Sequence, residues 1–188
     1  MKRVVAVAFV LALALSLSAS AQTLVDFTSL PPSATPVTVP ASYAGLVWTT
    51  ISYVNTPLYA DAGPGFLTGP EAQVAFGGGP LCFPAYGGTR NDGSPFKHIC
   101  DATIEIGPGS PTAVFQLNAI TVAAGWHATG DFVTLQAYNN GVQVGSDFQI
   151  NLSTTSQRVV LPAWGPITQL VMHPNPMGSF VLYVLEFP

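Results

Sequence analysis

The chain has 188 residues and a formal net charge of −4, with 7% charged and 48% hydrophobic residues. That length suits one domain with a sizeable core, and the plentiful aromatics and aliphatics exclude a disordered chain. The acidic balance excludes a basic patch for nucleic acid or anionic lipid, and so few charges leave the surface to Thr, Ser, Asn, Gln and Gly, a habit of extracellular β proteins.

The chain opens with Lys2 and Arg3, an apolar run from Val4 to Leu17, and the small residues Ala19-Ser20-Ala21. This is the charged n-region, h-region and A-x-A cleavage site of a signal peptide. The apolar run falls short of the ~20 residues that a membrane-spanning helix needs, so no membrane span is expected. Cleavage after Ala21 leaves a secreted domain, residues 22–188, in which Arg90, Lys97 and Arg158 face nine Asp+Glu, a net charge of −6.

No stretch of the mature chain has the period of an amphipathic helix. Short runs rich in Val, Ile, Thr, Phe and Tyr recur instead, punctuated by Gly and Pro, and predict an all-β antiparallel sandwich. Strands are expected at Thr23–Phe27, Gly45–Val54, Ala72–Phe76, Ile99–Ile106, Ala113–Ala123, Phe132–Tyr138, Val142–Ile150, Gln157–Leu161, Ile167–His173 and Ser179–Phe187. The proline-rich segment 28–42 is confined to an extended edge. Asn140-Gly141, between two alternating runs, predicts a type I′ hairpin turn because both residues accept positive φ. Gly77–Pro95 reads as a long irregular loop, of the kind that often forms a binding surface.

Cys82 and Cys100 are the two cysteines. In an exported chain such a pair predicts a disulfide, which would staple an otherwise unordered Gly/Pro/Asn-rich loop by ~3 kcal/mol in the chain-entropy account. A redox role would want a C-x-x-C spacing, which is absent.

Several segments carry a family likeness. "VDFTSL", then "YAGLVWTTISYVN", "FQLNAITVAAGW", "VTLQAYNNGVQVGS" and "ITQLVMHPNPMGSFVLYVLEF" follow one another in that order. Together they resemble a group of exported, galactose-binding-like jelly-roll sandwich proteins of bacteria and fungi, mostly of unknown function. The resemblance implies a single antiparallel jelly roll. It also implies that a structural calcium ion is plausible, for which Asp26 in the first strand and Glu186 in the last would be the ligands if the terminal strands pair.

Catalytic signatures are weak. Asp101 and Glu105 alternate on one strand with Thr103 between them, but four residues span ~13 Å, too far for the ~5–9.5 Å of paired glycosidase carboxylates. Glu71 and Asp131 are the remaining formal partners. No G-x-S-x-G elbow is present, and His98, His127 and His173 match no zinc spacing. Glycan binding uses the composition better, since sugars present apolar C–H faces to rings and hydroxyls to planar polar groups. Trp48, inside an alternating strand, reads as core. The expected contacts are Trp126 and His127 after a strand, Trp164 in a Pro-flanked turn, and Tyr86, Arg90, Asn91 and Asp92 in the stapled loop. Asn151-Leu152-Ser153 is an N-glycosylation sequon, relevant only in a eukaryotic secretory route. The reading is therefore a non-catalytic module for an extracellular or cell-wall glycan. Its rivals are a structural protein acting through protein contacts and a polysaccharide-active enzyme; the oligomeric state is not legible.

Overall fold

The structure, a computed structural model, describes residues 22–60, 62–69, 71–78, 102–106, 114–125, 131–175 and 179–188. Two antiparallel sheets form the β-sandwich that the alternating runs predict. The larger has seven strands. Its path runs β10 (Gln157–Val160), β7 (Ala119–Ala124), β12 (Ser179–Phe187), β5 (Gln73–Gly78), β4 (Ser52–Asn55) and β2 (Val37–Thr38), while β1 (Thr23–Val25) pairs with the C-terminal end of β12. The five-stranded sheet runs β3 (Leu46–Thr49), β6 (Ala102–Ile106), β11 (Gln169–Pro174), β8 (Phe132–Asn139) and β9 (Val142–Asn151). Between them lies the main core, including Phe27, Trp48, Tyr53, Ile120, Leu135, Leu170, Phe180 and Leu182.

The expected strands exist, with two differences. Gly45–Val54, read as one strand, is two strands in different sheets. Thr50 adopts φ +58° at the corner, which lets Trp48 on β3 and Tyr53 on β4 both reach the same core. Within Ala113–Ala123, regular pairing begins only at Ala119, and Phe115 forms an isolated bridge with Ile167. The hairpin forms as predicted, with Asn140 at φ +50° and Gly141 at φ +78° joining β8 to β9. From the proline-rich segment comes only the two-residue edge strand β2.

The two sheets differ on their outer faces. β11 alternates throughout between buried and half-buried residues, and β8 does so from Phe132 to Tyr138, as strands do when one face packs and the other meets solvent. β12 is buried at nearly every position. Its outer face is covered by the segment from Thr56 to Gly69, which lays Phe66 against Val54, Val74, Phe76, Ala123, Val181 and Tyr183 as a second, smaller core. Close approach needs glycines: a Cβ on Gly65 would lie 1.5 Å from the Ala124 carbonyl oxygen, and one on Gly69 would lie 1.8 Å from the Tyr183 ring. The buried Tyr183 hydroxyl donates to the Gly65 carbonyl. At the far end of this strap Thr68 accepts from the Ser156 amide at 2.9 Å and donates to the Thr154 carbonyl at 2.8 Å.

Candidate functional site

With the larger sheet's outer face partly strapped, the outer face of the five-stranded sheet is the extended polar surface of the described fold. Odd-numbered residues of β8, namely Val133, Leu135 and Ala137, face the core. Strand alternation therefore sends Thr134, Gln136 and Tyr138 outward. On β11 the same rule buries Leu170 and Met172 and leaves Gln169, Val171 and His173 half-buried on the outside. Register places Val171 opposite Gln136 and His173 opposite Thr134.

On β9 a bulge completes the cluster. Leu135 pairs with Phe148 and Ala137 with Val144, so Gly145, Ser146 and Asp147 together oppose Gln136. Gly145 takes φ +70° there. The extra residues swing Asp147 outward over β8, where its carboxylate accepts from Gln136 Nε2 at 3.0 and 3.1 Å and from Gln143 Nε2 at 2.7 Å. The other end of the Gln136 amide, Oε1, accepts from the Tyr138 hydroxyl at 2.8 Å and lies 2.9 Å from His173 Nε2.

Hydrogen-bond chemistry fixes the protons of this network. An ionised carboxylate only accepts, so Gln136 must turn its NH2 toward Asp147 and its carbonyl toward Tyr138 and His173. The carbonyl only accepts in turn, so Nε2 of His173 is the ring nitrogen that carries the proton directed at Gln136. Hydrogen bonds from Gln136 and then Gln143 hold the Asp147 carboxyl below its ordinary pKa, and it stays charged into the acid range. Three strands thus hold an amide, a phenol, an imidazole and a carboxylate in fixed mutual orientation on an exposed surface.

The sequence-predicted site residues fare differently. Trp126, His127, Tyr86, Arg90, Asn91 and Asp92 lie outside the described residues, as do Cys82, Cys100, His98 and Asp101. Trp164 requires a correction: it is 9% exposed and belongs to the main core. Its ring meets Phe148 edge-on at 6.3 Å and packs over Gly145, whose added Cβ would sit 3.0 Å from it. The Pro162–Pro166 turn folds the indole inward along the side where β9 and β10 leave the sandwich open, so it offers no stacking face to a sugar. Trp48 is core as expected, 4% exposed, with its indole N–H donating to the Tyr43 carbonyl at 2.8 Å.

Of the two suggested calcium ligands, Glu186 lies on β12, opposite Leu24 of β1, while Asp26 falls just past the end of β1. Both carboxylates are engaged by donors of the chain itself. Both Glu186 oxygens accept from Arg158, at 2.7 and 2.5 Å, and Gln22 Nε2 adds a third donor at 2.5 Å. Asp26 Oδ1 caps its own turn, accepting from the Thr28 amide and hydroxyl at 3.0 and 2.7 Å. A carboxylate already neutralised by a guanidinium is a poor ligand for a hard cation. Among the described residues no group of three His, Cys, Asp or Glu side chains is placed to hold a metal.

No protein-family profile and no curated protein matches this sequence. Among solved structures, a DUF4465 family protein from Bacteroides ovatus aligns over 80% of this chain and 81% of its own, with 12% identity and a TM-score of 0.45. That likeness is too distant to carry an argument about function. The resemblance read from the sequence stands at the level of an antiparallel β-sandwich.

Of the other carboxylates, Asp131 is buried, 6% exposed, just before β8, and Glu71 is half-buried two residues before β5. Asn151, the sequon residue, is exposed at the end of β9, its side-chain oxygen accepting from Gln149 Nε2 at 2.9 Å. Sequence reasoning missed Gln136, Tyr138, Gln143 and Asp147. The alternation of "VTLQAY" marked Gln136 and Tyr138 as outward, and a glycine inside a strand marks a bulge. Their convergence with His173, 37 residues from Gln136, depends on strand order and has no local signal.

Proposed function

We propose that the mature domain is a secreted, non-catalytic glycan-binding module, and that it binds through the outer face of the five-stranded sheet around Gln136, Tyr138, Gln143, Asp147 and His173. One observation carries this reading: the face is not a scatter of solvated side chains but a joined network in which Gln136 has its amide orientation fixed at both ends. Sugar hydroxyls need donors and acceptors whose directions are set before binding, because ordering flexible side chains at an interface costs ~0.5–1.5 kcal/mol each. Tyr138 adds a ring beside those polar groups, suited to the C–H face of a pyranose. Export rests on the signal-like segment 1–21.

The rival reading, assembly through sheet edges, has one favourable feature, the ten-residue edge strand β9. Its bulge at Gly145–Asp147 interrupts the straight ladder that a further strand would need, a device by which edge strands avoid pairing.

The test is retention of residues 22–188 on immobilised polysaccharides. Saturable binding to at least one polymer, lost in Tyr138→Ala and Gln136→Ala with the fold intact, is expected. Binding unchanged in both variants would move the site elsewhere, and concentration-dependent oligomers without any glycan retention would favour the assembly reading.

A further inference from the structure

Resting on the glycan reading just given, we propose that the ligand is an uncharged polysaccharide and that Asp147 is the residue that excludes acidic ones. The charges on the described surface point this way. Asp147 is exposed at the bulge, in the middle of the polar network, and its neighbours Gln136, Gln143 and Tyr138 are neutral. Among the described residues Arg158 is the one Lys or Arg. It sits on β10 in the other sheet, committed to Glu186 by two hydrogen bonds. The His173 imidazole, turned with Nε2 toward Gln136, is the basic side chain described on this face; no Lys or Arg is described there to answer the charge of a uronate, a sulfate or a phosphodiester, and an anionic ligand laid over Gln136 meets a carboxylate held ionised by its amide donors.

A free amine on the sugar is not the better match. Asp147 already accepts from two glutamine amides, so an ammonium would compete with them for the carboxylate oxygens that fix the orientation of Gln136. Hydroxyls ask for less. They can accept from the amide hydrogens and donate to the oxygens left over, with no charge to compensate. His173 directs its Nε2 proton to Gln136 Oε1, so that donor is already engaged.

The experiment compares polymers with and without their carboxylate charge: polygalacturonate with its fully methyl-esterified form, alginate with its propylene glycol ester, and carboxymethylcellulose with hydroxyethylcellulose. Affinity electrophoresis of residues 22–188 at neutral pH, in low and high salt, reads the ratio of affinities within each pair. The uncharged member is expected to bind at least about fivefold tighter in low salt, the penalty of one like charge at contact distance in water, with the gap closing as salt screens it. Asp147→Asn should shrink that ratio toward one, and Gln143→Glu, which adds a second carboxylate to the same face, should widen it. Equal or tighter binding of the acidic member, or a ratio indifferent to both variants, overturns the inference while leaving the glycan reading in place. Retention of no polymer overturns both.

Discussion

The outer faces of the two sheets begin from the same kind of strand and end as opposites. On the seven-stranded sheet, the segment 56–69 lies across β12, β5 and β4, so that Tyr183, Phe76 and Val54 are buried on a surface that would otherwise meet water. The five-stranded sheet has no described segment across its outer face, and the same positions there are Gln136, Tyr138 and His173. Covering a face turns it into a second core; leaving it open makes polar side chains organise one another. Stability therefore concentrates under the strap, and the uncovered side carries the proposed binding surface.

Substitutions that sharpen this contrast should affect stability on one face and binding on the other. The largest effect is expected from Gly65→Ala, because its Cβ would fall 1.5 Å from the Ala124 carbonyl oxygen. The strap must lift, exposing Phe66 and Tyr183, and urea unfolding should record a loss of about 3 kcal/mol or more, or failure to fold. A Gly65→Ala protein as stable as the parent would mean that the strap contributes little.

Tyr183→Phe is milder. It keeps the ring and leaves the buried Gly65 carbonyl without its phenolic donor, a cost of about 1–3 kcal/mol. Burial pushes the Tyr183 phenol above its ordinary pKa, so its ultraviolet titration should lag the other tyrosines as alkali is added.

A third prediction concerns the uncovered corner of the strapped sheet. The Arg158 hydrogen bonds hold the Glu186 carboxyl below its ordinary value. A carboxyl depressed in the folded state adds stability above its unfolded pKa of ~4.3 and loses it as pH falls through the folded value. Thermal unfolding of Glu186→Gln should accordingly depend less on pH below about 4.3 than the parent does. Identical acid profiles would argue that the pair is not formed in solution.

On the open face the expectation reverses. Gln136→Ala and Tyr138→Ala remove half-buried groups and should change stability by no more than about 1 kcal/mol, yet abolish glycan retention. A large stability loss with retention preserved would collapse the contrast between the two faces.

Much of the fold was legible in the sequence, and for local reasons. Alternation along "FVTLQAY" and the positive-φ tolerance of Asn140-Gly141 are properties of a few adjacent residues, and the strands and hairpin followed. Thr50 had no such signal: a β-branched residue at φ +58° is held there by the core demands of Trp48 and Tyr53 on either side. Trp164 was misread for a related reason. A Pro-flanked turn suggests exposure, and only the open side between β9 and β10 turns the indole inward.

By itself the sequence determined an all-β chain, where most of its described strands lie and where the Asn140-Gly141 hairpin turns, because backbone period and turn chemistry act over neighbours. Tertiary structure alone decided which sheet each strand joined, which outer face was covered, and that Gln136, Asp147 and His173 meet. Whether an outward residue is buried or exposed depends on what lies across it, and that is set by segments distant along the chain.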